Sequence, residues 1–236
     1  MLWHIICVAA VVVSVAGHGR VLEPPGRSSI WRKGFPAVPY YDDDALNCGG
    51  FYNQHGVNGG KCGVCGDPYD QPEPRPHEAG GYLNTGIIVA RYEQGQVIDI
   101  VVELTAYHKG YFEFRICTDP LSNKQDCFDE ILLELEDGGT KYYPSQDGVY
   151  SMKFRLPSDL VCDHCVLQWK YTCGNNWGVC SNGTQGLGCG QQETFWACTD
   201  ISISAVGNAL DAPVELEPAP LPVILSNSID EVQGKK

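Results

Sequence analysis

The chain reads as an antiparallel β-sandwich. Three observations carry that reading: short segments in which apolar and polar residues alternate, turn-rich connections between them, and near absence of helical periodicity. A period of two puts one face of each segment in a core and the other in water, and several such strands stack as two sheets. Residues 18–82 lack the pattern. Their Gly, Pro and Asn punctuation (EPPGR, then CGGFYNQHGVNGGKCGVCGDPYDQPEPRP) predicts long, disulfide-stapled loops instead.

The expected strands follow in order. Residues 86–92 (GIIVARY) make a short first run. Over 97–105, Ile98, Ile100, Val102 and Leu104 alternate with Asp99, Val101 and Glu103. Over 111–117, Phe112, Phe114 and Ile116 alternate with Glu113 and Arg115. Residues 150–156, 165–172 and 195–205 repeat the period, and in the second of these Leu167, Trp169 and Tyr171 share one face. Residues 129–136 fit either one short helix or a further strand. From 207 to 236 the chain turns Pro-rich and acidic (LDAPVELEPAPLP), which predicts a flexible tail rather than a second domain. With no aromatic residue, that tail lacks the stacking surface of the usual carbohydrate-binding module.

At the other end, residues 2–16 form an apolar run (LWHIICVAAVVVSVA) closed by the small residues Val15-Ala16-Gly17. The run is shorter than the ~20 residues a membrane span needs, so 1–17 reads as a cleaved signal peptide and the product as secreted and extracellular. His18 then becomes the first residue of the mature chain. Removing 17 residues from 236 leaves 219, enough for one cored domain over 18–206 plus the tail.

Charge narrows the partners. Lys and Arg total 16 against 29 Asp and Glu, a net charge of −13. Such a surface repels phosphate backbones, so nucleic acid is excluded; neither a membrane nor a second subunit is expected. After Cys7 leaves with the leader, eleven of the 12 cysteines remain, which predicts five bridges and one leftover thiol. Sequence leaves the pairing open, although Cys117 and Cys127 flank a short polar connection. Two C-x-x-C pairs, Cys62/Cys65 and Cys162/Cys165, stand almost a hundred residues apart, where zinc clusters space theirs by roughly 15–20. They read as structural disulfides. Asn182-Gly-Thr184 is an N-glycosylation sequon in a Gly-rich loop.

A histidine at a processed N-terminus carries an α-amine and an imidazole on one residue, and both can chelate one metal. Of the other histidines, His55 lies in a Gly-rich loop, His77 between Pro76 and Glu78, and His164 inside a C-x-x-C pair. All three read as surface or packing residues. His108 falls just past a strong strand, ahead of Gly110 and the next strand, a rigid place for a ligand. His18 and His108 together supply three nitrogens, a set that suits Cu(II), first in the divalent affinity series. The amine must lose its proton to bind, so affinity should fall with pH. The run Asp42-Asp43-Asp44 offers a glycosidase-like carboxylate pair, but adjacent loop acids read as a solvated turn.

The His-Gly-Arg-Val start at His18, the Ala106-Tyr107-His108 segment and the stretch Glu193-Thr-Phe-Trp-Ala-Cys-Thr-Asp200 resemble the lytic polysaccharide monooxygenases, most nearly auxiliary activity family fifteen, related to the chitin-binding type-4 proteins. The resemblance covers about residues 18–206. It implies an immunoglobulin/fibronectin III-like sandwich and one copper per chain in a histidine brace. It also implies oxidative cleavage of insoluble chitin or cellulose at C1 and/or C4, with O2 or hydrogen peroxide as co-substrate and an external electron donor. By the same resemblance His18 and His108 form the brace and Phe195 faces the metal axially from the protein side, without the phenolic oxygen of relatives carrying Tyr. Glu193, two residues earlier on the same strand face, orients a bound oxygen species, and Ala106 restricts the opposite axial position. The competing readings are a non-catalytic chitin-binding extracellular matrix protein and a disulfide-rich signalling or inhibitor domain.

Overall fold

The computed structural model describes residues 18–207; the expected signal peptide, and the expected tail from residue 208 onward, lie outside them. Among the described residues, eleven strands and one short α-helix follow one another as β1 (His18–Glu23), β2 (Ala90–Glu93), β3 (Val97–Ala106), β4 (Tyr111–Cys117), α1 (Gln125–Asp129), β5 (Ile131–Leu132), β6 (Glu134–Leu135), β7 (Gly148–Arg155), β8 (Cys162–Thr172), β9 (Trp177–Val179), β10 (Gln185–Leu187) and β11 (Thr194–Ser204), with a 3-10 turn (Ile30–Lys33) and a π-helical turn (Tyr52–Val57) between β1 and β2. A four-stranded sheet runs β1-β3-β7-β6 and a five-stranded sheet β2-β11-β8-β4-β5, with β9 and β10 as a separate hairpin. This is the all-β sandwich the alternation predicts. One edge departs from it: β2 pairs with β11 in parallel.

The core lies where the period of two puts it. Ile98, Ile100, Val102 and Leu104 face Phe112, Phe114, Ile116, Leu167, Trp169 and Tyr171, and all are almost wholly buried. Each such side chain removed from water contributes roughly 1.5–3 kcal/mol. The strand expected over 86–92 pairs only from Ala90, and residues 129–136 divide between the end of α1 and two two-residue strands.

The larger correction is β1, which falls inside the stretch read as loop. Its inward positions carry Gly19 and Val21, too little apolar residue to show alternation. Gly19 is small for a reason: a Cβ there would lie 2.7 Å from the Leu104 side chain and 3.1 Å from the Trp169 ring. Close approach of β1 to the core therefore removes the signal by which a strand is recognised.

Residues 24–83 do form stapled loops, packed over the outer face of the five-stranded sheet. The bridges are Cys48–Cys62, Cys65–Cys198, Cys117–Cys127, Cys162–Cys165 and Cys180–Cys189, leaving Cys173 as a buried thiol. Five bridges and one thiol agree with the count. Only the second C-x-x-C pair closes on itself; Cys62 and Cys65 bond elsewhere and tie two turns of loop to different partners. Asn182 sits exposed at the tip of the β9–β10 hairpin, its Oδ1 accepting from the Thr184 amide and hydroxyl. Among the described residues no helix is long and apolar enough to cross a membrane.

Candidate copper centre

The start of β1, the end of β3 and the start of β11 meet at one end of the sandwich. His18 opens β1 with Ala106 as its Cα partner on β3, and the register slips between His18 and Gly19. Such irregularities re-aim a side chain at a sheet edge. His108 follows Ala106 by two residues, so strand pairing alone brings the two histidines into one neighbourhood across 90 residues of sequence. The Gly19 amide donates to the Asp44 carbonyl at 2.8 Å, which ties β1 to the loop beside it.

The turn that carries His108 is held from several sides. Its amide donates to the Tyr171 hydroxyl at 2.9 Å, and that hydroxyl donates to the Lys109 carbonyl at 2.6 Å. Gly174 N–H donates to the His108 carbonyl at 2.8 Å. Lys109 and Gly110 both take positive φ, 57° and 79°, and a Cβ on Gly110 would stand 1.9 Å from the Thr172 carbonyl oxygen. Only glycine fits there. Burial drives the Tyr171 phenol well above its ordinary range, so it serves as a neutral clamp.

Phe195 is fully buried on the inner face of β11, opposite Tyr171 on β8. Its ring centroid lies 6.2 Å from that of His18, at 46°, and 6.0 Å from that of Tyr171. An apolar ring, with no oxygen to donate, therefore stands beside the first histidine. Glu193 Oε1 accepts from Asn47 Nδ2 at 3.1 Å, and Oε2 lies 3.8 Å from His108 Nδ1. Burial raises the Glu193 carboxyl above its ordinary range, against the Asn47 hydrogen bond and the His18 charge, which lower it.

The donor set fits copper on one further observation. Asn175 places its side-chain amide 2.9 Å from His108 Nδ1, while its own Oδ1 is buried without a partner. The two ends of an amide are assigned by their hydrogen bonds, and turning this one makes the orphaned oxygen the acceptor for an Nδ1–H. A ligating imidazole characteristically donates its second nitrogen in this way. His108, Cys173 and Glu193 also bring ligand atoms within 4.8 Å of one another. Burial and the nearby Glu193 push the Cys173 thiol far above its usual range, however, and a protonated thiol is a poor ligand.

The remaining histidines are placed as expected. His55 Nε2 meets the Gln192 carbonyl, His77 Nδ1 meets Asp67 and His164 Nε2 meets Asp200, at 2.9, 2.7 and 2.8 Å. The acidic run departs from a solvated turn, because Asp43 is buried between Arg20 and Arg32. Asn47, Tyr171, Asn175 and Cys173 are the site residues that motif reading misses; none stands in a recognisable spacing to the histidines.

Fold and site together define a copper-dependent mono-oxygenase on an all-β sandwich. Residues 18–201 match the family model described as lytic polysaccharide mono-oxygenase, cellulose-degrading. A solved structure, the AA15 lytic polysaccharide monooxygenase from Thermobia domestica in the Cu(I) state, is 49% identical, with a TM-score of 0.77 over 79% of this chain and 99% of that one. No curated protein matches. The chain belongs to the lytic polysaccharide monooxygenase family, within its AA15 branch.

Proposed function

We propose that this protein is a secreted enzyme that cleaves chitin, with cellulose as the second candidate, by oxidation at C1 and/or C4. The observation that carries the reading is the convergence of His18, His108 and Phe195 at one end of a rigid sandwich. A family match that begins at residue 18 supports trimming at that position. His18, through its amine and imidazole, and His108, through Nε2, would hold the copper. Bound copper supplies the redox chemistry, drawing on O2 or hydrogen peroxide and an external electron donor.

The chain's own residues do the positioning. Asn175 keeps the proton of His108 on Nδ1, and Tyr171 with Gly110 fixes the turn that aims the ring. Phe195 closes the protein side of the site with an apolar ring that excludes water and offers no ligand, while Ala106 leaves little bulk next to His18. Glu193 holds a carboxyl of raised proton affinity at the rim, where it can orient a polar co-substrate. Tyr41, Tyr52 and Tyr82 are exposed aromatic surfaces available to sugar rings.

The test is incubation of the mature protein with chitin or cellulose, copper and ascorbate, followed by mass spectrometry of the soluble sugars. Aldonic acids or 4-keto oligosaccharides are expected, and their loss when one residue is added ahead of His18. Binding to chitin without oxidised products would overturn the reading in favour of a non-catalytic matrix protein.

A further inference from the structure

On the outer face of the five-stranded sheet lies a cleft of about 720 Å³, none of whose lining residues belongs to the copper centre. Its floor is the register pair Lys170 and Trp196. Both point away from the core because their strand neighbours Tyr171 and Phe195 point into it. The rims are the loop that carries Lys61, Tyr69 and Arg75 and the segment that carries Lys124 and Asp126.

The cleft collects positive charge on a chain whose net charge is −13. Arg75 is committed to Glu73 and Glu78. Lys61, Lys124 and Lys170 have no carboxylate oxygen within 4.0 Å among the described residues, and Asp126 is the one acid on the lining besides Glu73. Lys170 is the most telling of the three. It is half-buried, its ammonium stands 4.6 Å from the Trp196 ring centroid, and burial, aided by Arg115, pulls its proton affinity below the ordinary lysine range. Its register partner Glu113 on β4 and Asp129 offset only part of the cost of keeping this cation from water, since burial outweighs them, and an anionic ligand would offset the rest.

The shape restricts what the anion can be. A volume of this size accommodates a small organic molecule rather than an inorganic ion alone. The two aromatic faces are already covered, Trp196 by Lys170 and Tyr69 by Lys61 and Arg75, at 4.6, 5.1 and 4.8 Å. A planar aromatic acid therefore finds no bare face to stack on, whereas a hydroxyl-rich anion meets polar and charged walls. We propose that this cleft binds a saccharide ending in a carboxylate, the class of acid that C1 oxidation of a polysaccharide releases. The source of that ligand rests on the function proposed above; the binding itself does not.

Isothermal titration of the mature, metal-free protein with the aldonic acid of N-acetylchitotriose, against the neutral trisaccharide, tests the assignment without any turnover. The acid should bind at least about tenfold more tightly, and less tightly as salt is raised. The pair Lys61→Gln/Lys124→Gln, and separately Lys170→Met, should each weaken the acid about tenfold while thermal stability and the copper EPR spectrum stay unchanged. Equal binding of acid and neutral sugar, full displacement by sulfate at matched ionic strength (an adventitious ion only), or indifference to all three lysines would overturn it. Acid binding by a protein that releases no oxidised sugar would leave the cleft standing and remove the proposed activity.

Discussion

Replacing Asn175 by alanine isolates the contact proposed to set which nitrogen of His108 would face the metal. The amide lies 2.9 Å from Nδ1, whereas Glu193 Oε2 stands at 3.8 Å, beyond a hydrogen bond. A hydrogen bond of this kind has a net value of about 1 kcal/mol, up to about 3 when one partner becomes charged, and about 1.4 kcal/mol is tenfold in affinity. Outer partners of metal-bound histidines typically alter affinity 10–100-fold. Because Glu193 can turn inward as a substitute, the expected loss for Asn175→Ala is near the lower figure, about tenfold. The assay is Cu(II) titration against a competing chelator, using protein whose N-terminus is verified as His18. Long-range nitrogen–proton NMR of the metal-free protein reads the tautomer directly: Nδ1–H should dominate in the parent and become mixed in Asn175→Ala. Asn175→Asp can only accept, so it should hold affinity within about threefold of the parent. Should the aspartate variant be as weak as alanine, the amide donates to Nδ1 rather than accepting from it, and the assignment of Nε2 as the ligating nitrogen fails.

Three further outcomes are expected. Gly110→Ala forces a Cβ to 1.9 Å from the Thr172 carbonyl at a φ of 79°, so urea denaturation should show a loss of at least about 3 kcal/mol, with weakened copper binding as the His108 turn shifts. Removing the Cys65–Cys198 bridge, whose ends are 133 residues apart, should cost about 5 kcal/mol in guanidinium melts, against about 3 for the 9-residue Cys180–Cys189 bridge; equal losses would contradict the chain-entropy account. Burial raises the Tyr92 phenol to about 12 from 10.0, so the native state keeps its proton where the unfolded chain has lost it. Stability should therefore fall between about pH 10 and 12, by about 2–3 kcal/mol relative to Tyr92→Phe, and parallel pH profiles for the two proteins would refute this.

Where a strand has one face in the core and one in water, its residues announce it, and β3, β4, β7, β8 and β11 were legible for that reason. β1 was not, because its tight seat against Leu104 and Trp169 requires Gly19. Residues 129–136 stayed ambiguous because the strands there are two residues long, shorter than a period can register. The site divides in the same way. His18 and His108 are readable because an expected processing site and a strand end give them a chemical context along the chain. Asn175, Asn47 and Tyr171 act through hydrogen bonds to residues 67, 146 and 62 positions away, and an isolated Asn or Tyr in a loop or core strand carries no mark of its partner.

The chain by itself determined the layered β architecture and the number of bridges, and it singled out the pair of histidines proposed to hold copper, since alternation, cysteine parity and the pattern of an expected processing site are local properties. Tertiary structure alone decided which cysteines join, that Asp43 is buried between two arginines, and which groups hold His108. Those depend on distances across sheets and loops, which hydrogen bonding and packing set and no spacing along the chain encodes.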